Sequence, residues 1–219
     1  MQNIPRIFIN EDLNVGKTVQ ISKEIKHYLQ RVMRRKDCLI FNNGVEYAAD
    51  LSDDGKYLIV KNKTEHIDPS NNITLYFAPI KRLDDMLNMV TQMGVAVLQP
   101  VVTDRTVANH INWERMKKII IEASEQSNRN SIPLLLNPIR FSDMDLSDVI
   151  VADERAGHGK KDFGNIKDFT KILIGPEGGF SVAEFEKMDK SNVCCMSLGK
   201  TILRAEVASV VAVSKVLNK

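Results

Sequence analysis

The sequence predicts a small β-rich N-terminal part followed by an α/β part built on a parallel sheet. Three observations carry this reading. From Arg6 to about Asp68, short apolar runs alternate with tight-turn residues. From about residue 71 onward, apolar strands alternate with segments of helical periodicity. Between them, Asp68-Pro69-Ser70-Asn71-Asn72 is a polar, turn-rich break, which sets the expected domains at 1–70 and 71–219.

Taken in order, Ile7-Phe8-Ile9, Cys38 to Phe41 and Tyr57 to Val60 read as strands, the last two beside the turns Asn42-Asn43-Gly44 and Asp53-Asp54-Gly55. Ser22 to Lys36 reads as one helix capped by Ser22, with Ile25, Leu29 and Val32 or Met33 on its inner face. Beyond the break, Ile73 to Phe77 is a strand. Leu83, Met86, Leu87, Val90 and Met93 recur at helical spacing, with Gly94 placed for a C-terminal cap. Val95 to Leu98 is the next strand, and Asn112 caps a helix that turns Trp113, Met116, Ile119, Ile120 and Ala123 inward. Val149 to Ala152, Lys171 to Ile174 and Val193 to Met196 complete the strands. Continuously apolar strands alternating with helices are what a parallel sheet covered on both faces requires.

Composition narrows the function classes. With 43% hydrophobic and 26% charged residues, the chain is neither disordered nor fibrous. Thirty basic against 28 acidic residues leave only +2, so any affinity for nucleic acid must come from local clusters. The longest apolar stretch, Val207 to Leu217, is interrupted by Ser209, Ser214 and Lys215 and is too short to span a bilayer; no membrane association is expected. Cys38, Cys194 and Cys195 form neither a disulfide framework nor a zinc spacing, and His66, His110 and His158 lack ligand spacing. No metal is expected. With no apolar run at the N-terminus, a reducing, cytoplasmic location is expected.

Two strand-to-helix junctions carry chemistry. At Ile174-Gly175-Pro176-Glu177-Gly178-Gly179-Phe180-Ser181, a glycine-rich loop precedes a helix whose start is marked by a Ser181/Glu184 capping box and a Phe180–Phe185 staple. Such a loop is either a tight turn or a place where backbone amides approach a ligand at the end of a strand. The second junction, Ser197 to Ala208, leads into a helix, Ala205 to Leu217, that is apolar nearly all round and so belongs inside the domain or in a subunit contact. Arg204 and Glu206 flank its start, as a structural ion pair or as reactive groups. Gly199-Lys200-Thr201 lacks the earlier glycine of a P-loop, and the Gly175 loop lacks the dinucleotide spacing, so nucleotide hydrolysis and hydride transfer lose support.

Gly-Pro-Glu-Gly-Gly-Phe-Ser at 175–181, Leu-Gly-x-x-Ile-Leu-Arg-Ala-Glu at 198–206 and Glu-Ala-x-Glu-Gln-Ser-x-Arg at 122–129 together resemble the ribosomal RNA small subunit methyltransferase E (RsmE) family. The resemblance extends to Arg6, His27-Tyr28-Leu29, Arg31, Arg34, Lys81-Arg82, Gly94-Val95 and Asp104-Arg105. It implies a PUA-like β-barrel followed by a SPOUT α/β domain with a C-terminal trefoil knot, working as a homodimer. It also implies S-adenosyl-L-methionine as methyl donor and N3 of one uridine in 16S rRNA of the small ribosomal subunit as acceptor. Ala152, Ile174, Gly175, Pro176, Glu177, Gly178, Gly179, Leu198, Gly199, Ile202 and Leu203 are then the expected donor-binding residues. Met89, Gln92 and Val207 depart from the family pattern.

Methylating a uracil N3 removes the imide proton, so a proton acceptor and a stabiliser of negative charge are useful. Arg204 is the expected stabiliser and Glu206 or Glu177 the proton acceptor; the bland alternative pairs Glu206 with Arg204 and leaves the acceleration to alignment. For RNA, Lys23, Lys26, His27, Arg31, Arg34 and Arg35 form a basic cluster that suits phosphates, joined by Arg6, and Arg105, Gln126 and Arg129 are expected at the entrance for an extruded base. The competing readings are a relative acting on ribose or tRNA and a non-catalytic ribosome-assembly factor.

Overall fold

The structure is a computed structural model that describes residues 4–69, 71–107, 111–153, 155–156, 169–191 and 193–217; His110 and His158 lie outside the described residues. The chain forms two compact units, one of residues up to 69 with 121–132, the other of 71–120 with 133–217.

In the first unit, β1 (Arg6–Phe8), β2 (Thr18–Gln20), β3 (Asp37–Asn42), β4 (Val45–Leu51) and β5 (Tyr57–Lys63) form a five-stranded sheet in the order β1-β3-β4-β5-β2. The β1–β3 pair is parallel and the others are antiparallel. Ile7, Val19, Leu29, Ile40, Leu58 and Val60 make the core. The expected single helix from Ser22 is interrupted. Ser22 Oγ accepts the Ile25 N–H and starts α1 (Lys23–His27), but the chain continues as a π-helical turn, Tyr28–Met33, closed by Arg34 at φ 54. That turn buries Leu29 while Val32 stays exposed, so the apolar face reads differently from an ideal helix.

The second unit is a seven-stranded parallel sheet. β6 (Thr74–Phe77), β7 (Val97–Val102), β8 (Leu134–Leu135), β10 (Val149–Ala152), β11 (Lys171–Ile174) and β12 (Cys194–Met196) run in the order β12-β10-β11-β6-β7-β8, and β9 (Ile139–Arg140) pairs with β7. Every pairing is parallel, which explains the uninterrupted apolar strands. β7 starts two residues later than the expected Val95, whose amide instead bonds Val90 O as the chain leaves the preceding helix.

Helices α2 (Leu83–Gln92) and α5 (Ala205–Leu217) pack together, and α5 also lies against β11. A further core gathers Val101, Phe141, Phe180, Met188 and Cys195, under α4 (Val182–Lys190). Helix α3 (Trp113–Gln126) begins among the second unit's residues, and its last turns group with the first. No helix among the described residues is long and apolar enough to cross a membrane, and no described cluster of His, Cys, Asp or Glu is suited to hold a metal ion.

Candidate functional site

The carboxyl ends of four neighbouring strands, β12, β10, β11 and β6, meet at one cavity of about 550 Å³. Open parallel sheets bind ligands at such ends, because the chain there leaves the sheet as loops with free backbone groups. Lining it are Ala152 and Asp153 after β10, Ile174 to Glu177 with Gly179 and Phe180 after β11, and much of Ser197 to Glu206 after β12, with Lys81 and Arg82 after β6. The structure therefore brings Ala152, Ile174, Gly175, Pro176, Glu177, Gly179, Leu198, Gly199, Ile202 and Leu203 to one space, together with Arg204 and Glu206. Gly178 is not among the lining residues; its carbonyl accepts the Arg105 guanidinium at 2.9 Å. Met89, Gln92 and Val207 do not line the cavity either.

Side-chain braces set the shape of the glycine loop. The capping box is complete: Glu184 N–H donates to Ser181 Oγ at 3.2 Å, and Ser181 N–H donates to Glu184 Oε2 at 2.7 Å. Glu184 is buried and takes the Asp104 N–H on its other oxygen, while Ser181 Oγ donates to Asp104 Oδ2. Asp104 and Arg105 thus tie the loop after β7 to the loop after β11. Phe180 stacks between Phe141 and Phe185, with ring centroids 5.7 and 5.8 Å away. A Cβ on Gly175 would sit 2.7 Å from that ring, which is why glycine is required there. In the other loop, Lys215 of α5 donates to Ser197 O at 2.8 Å, and Gly199 turns at φ 127, a conformation L side chains rarely adopt.

The charges are arranged differently from the simplest sequence reading. Glu206 is buried, and its partner is Arg82, with Nη1 3.5 Å from Oε1. The alternative that paired Glu206 with Arg204 gives way to Arg82 because α5 packs on α2, bringing the first turn of one helix to the N-cap of the other. Arg82 also holds Asp85 at 2.6 Å. Arg204 is exposed at the start of α5, and Glu177 is exposed with Oε1 accepting the Lys81 N–H at 3.3 Å.

Sequence reasoning missed Asp153. Its side chain is fully buried, receives Arg155 at 2.8 Å and lies 3.6 Å from Cys195 Sγ. Arg155 stacks 3.7 Å over Phe185 and reaches Asp189. Hydrogen bonding to Asp153, supplemented by Asp189, raises the guanidinium's pKa above its ordinary value. The available signal was position: Asp153 is the residue after an apolar strand, at the end where ligands bind.

In the first unit, Arg6 is a core residue. All five of its N–H donors have acceptors: Glu46 Oε2 at 2.9 Å, Asn130 Oδ1 at 2.5 Å, and the carbonyls of Ser124, Glu125 and Arg129. No donor is left for a phosphate. Arg35 is likewise held by Asp37 at 2.6 Å, and Lys26 donates to Asp54 O. Arg129 is half-buried, and its pKa is lowered by that burial against the attraction of Asp68. Lys23, His27, Arg31, Arg34 and Gln126 are exposed.

Comparison with known proteins places this geometry in a family. Residues 68–217 match the RNA methyltransferase domain family. Ribosomal RNA small subunit methyltransferase E of Rickettsia conorii is 34% identical, over 96% of this chain and 94% of that protein. The protein of the same name from Buchnera aphidicola is 29% identical, over 97% and 92%. The crystal structure of the Neisseria gonorrhoeae ribosomal RNA small subunit methyltransferase E, bound to S-adenosyl methionine, matches with a TM-score of 0.83 at 26% identity, covering 99% of this chain and 98% of that one. Since the match runs through both units and every strand that frames the cavity, the chain belongs to the ribosomal RNA small subunit methyltransferase E family.

Proposed function

We propose that this chain transfers the methyl group of S-adenosyl-L-methionine to N3 of one uridine in 16S rRNA of the small ribosomal subunit. The observation that carries the reading is the cavity at the four strand ends, found in a chain of this family. It fits the donor. Its volume, about 550 Å³, falls in the usual range for small-molecule sites. Ile174, Phe180, Leu198, Ile202 and Leu203 offer apolar surface to a flat purine, and the glycine loops leave backbone groups for its polar edge. When bound, the donor supplies an electrophilic methyl carbon on a positively charged sulfur.

The remaining chemistry falls to the chain's own residues. Arg204, exposed on the cavity wall, stabilises negative charge on a uracil oxygen as N3 loses its proton. Glu177, exposed on the same wall, accepts or relays that proton. Glu206 has an orienting role instead, because protonating it would break its ion pair with Arg82. Arg105 shapes the glycine loop through Gly178, and the exposed cations Lys23, Arg31 and Arg34, with His27, receive RNA phosphates.

Residues 1–70 are read as the PUA-like RNA-binding barrel and 71–219 as the SPOUT domain with its C-terminal knot. Support comes from β12 lying beyond β10 while the following helix, α5, returns to β11 and α2. A homodimer is supported by the exposed Val207 and Leu217 on α5, apolar surface that a second copy would cover.

The test is single-turnover methyl transfer to unmethylated small subunits, with the product nucleoside identified by mass spectrometry. Methyl at uridine N3, with R204A and E177Q slowed while donor affinity stays near wild type, is the expected result. Methyl on ribose, or no loss in either variant, overturns the assignment.

A further inference from the structure

Beside the donor cavity lies a second cleft of about 520 Å³, formed by Pro79 to Asp85 at the end of β6 and the start of α2, and by Asn112, Arg115 and Met116 at the start of α3. A smaller hollow of about 70 Å³ adjoins it, reaching Arg105, Pro176 and Glu177. Lys81 borders all three spaces, and no other described residue does. It is exposed, and its ammonium makes no hydrogen bond or ion pair among the described residues. The neighbouring charges are already matched. Arg115 binds Asp84, and Arg82 binds both Asp85 and Glu206.

Building on the function proposed above, we propose that this cleft is the acceptor site. It takes the pyrimidine ring of the target nucleotide with its N3 edge at the border shared with the donor cavity, where Lys81 meets one ring oxygen and Arg204 and Glu177, which line the donor cavity, face the other side of that edge. Electrostatics favours a base over a phosphate. The cleft is lined by three cations, Lys81, Arg82 and Arg115, and two carboxylates, Asp84 and Asp85; because Glu206, outside the cleft, also pairs Arg82, only Lys81 lacks an ion-pair partner among the described residues, a single charge where a phosphate site gathers several. An uncharged uracil suits such a site, and Lys81 becomes valuable only as the ring turns anionic.

The imide N–H bond breaks and its proton passes to Glu177 or through it to water, leaving a negative charge shared between N3 and the two ring oxygens. The N3 lone pair then forms the bond to the methyl carbon, and the carbon–sulfur bond breaks with its electron pair remaining on sulfur. Two oxygens share the charge, so two cations have work: Arg204 meets one oxygen and Lys81 the other. The titratable and charged groups that line the three spaces with Lys81 are Asp153 after β10, Glu177 from the loop after β11, Arg105 from the loop after β7, Arg82, Asp84 and Asp85 at the start of α2, Arg115 of α3, and Arg204 and Glu206 at the start of α5.

The experiment compares wild type, K81Q and K81R in single-turnover transfer to unmethylated small subunits across pH, with RNA affinity measured across salt and donor affinity by calorimetry. Loss of one preorganised donor to a developing oxyanion costs about 100-fold. K81Q should therefore be slower by about that factor near neutrality, and the deficit should shrink as rising pH ionises the imide unaided. K81R should recover much of the rate, donor affinity should hold within a few fold, and the salt slope of RNA binding should be unchanged. A pH-independent loss with a salt slope reduced by about one would make Lys81 a phosphate contact and overturn the proposal. So would a K81Q variant that transfers at the wild-type rate. Failure of the wild type to methylate any rRNA would remove the activity and this proposal together, whereas an active wild type with an unaffected K81Q would remove the proposal alone.

Discussion

Replacing Gly175 by alanine tests whether the glycine loop is shaped by steric closeness. The backbone is not in the left-handed region there, so alanine can adopt it, and the cost comes from the new methyl alone. That methyl would lie 2.7, 3.0 and 3.2 Å from three carbons of the Phe180 ring. Relief to an ordinary contact requires a shift of roughly 1 Å. Phe180 is buried and flanked by Phe141 and Phe185, so the ring has nowhere to swing and the loop must move instead. Overpacking of this kind costs about 1–3 kcal/mol. At about 2–4 °C per kcal/mol for a chain of this size, the melting point should fall visibly. Because the displaced loop forms one wall of the cavity proposed for the donor, calorimetry should also show weakened S-adenosyl-L-methionine binding. Gly178→Ala is the control, since its methyl would meet Arg105 carbons at an ordinary 3.6 Å or more and should leave the melting point near wild type. A Phe180→Leu change frees space beside Gly175, so the double variant should lose less than the sum of the two single losses. Strict additivity, or a G175A protein that melts and binds donor like wild type, would refute this account of the loop.

Four other outcomes follow from the same structure. Arg6→Ala should destabilise the protein by about 3–5 kcal/mol, because Glu46 is left buried without its partner, and Arg6→Lys should not restore it, since an ammonium has only three donors for five acceptors; thermal melts decide both. Burial raises the pKa of Glu125, so its contribution is complete at low pH and is lost as pH rises through the raised value; Glu125→Gln should flatten that decline and keep accepting the Phe8 N–H, as denaturant titrations between pH 4 and pH 8 would reveal. Cys38, buried and pushed up to about 12, should resist thiol reagents at pH 8 until the protein unfolds, while half-buried Cys194 reacts sooner, a difference read by mass spectrometry of labelled peptides. Reversing Lys23 and Arg31 to Glu should weaken RNA binding and lower its salt dependence; unchanged binding would move the phosphate surface elsewhere.

The second unit was legible in sequence because its strands are buried on both faces and therefore read as unbroken apolar runs. β8 and β9 escaped for the opposite reason: each is two residues long, and Leu134 in β8 is exposed. In the first unit, β4 escaped because its inward face carries Glu46 and a register shift falls between Ala48 and Ala49, which breaks the alternation. A buried carboxylate on a strand makes sense only once Arg6, forty residues earlier, is beside it. The interruption of the first helix was equally hidden, since nothing in Ser22 to Lys36 distinguishes a π-turn from an α-turn.

Residue type and spacing identified loops in the candidate site, and packing assigned the charges. The glycines announced where backbone had to come close, and the loops they mark do meet, because consecutive strands end on one side of a parallel sheet. Which charge faces which depends on helix against helix. Arg204 and Glu206 are two positions apart, yet α5 turns Glu206 toward Arg82 and leaves Arg204 outside. The same contact separates the environments of the two carboxylates: Glu206 is committed to an arginine, whereas Glu177 stays exposed on the cavity wall, which is why the proposed mechanism gives the proton to Glu177. If Arg82→Gln slowed transfer with a steeper loss in kcat than in KM, and Glu206→Gln reproduced it without a further loss in the double variant, the two would act as one unit that positions the cavity wall. Independent, additive losses would mean that Glu206 meets the substrate itself, and the proton acceptor would have to be reassigned.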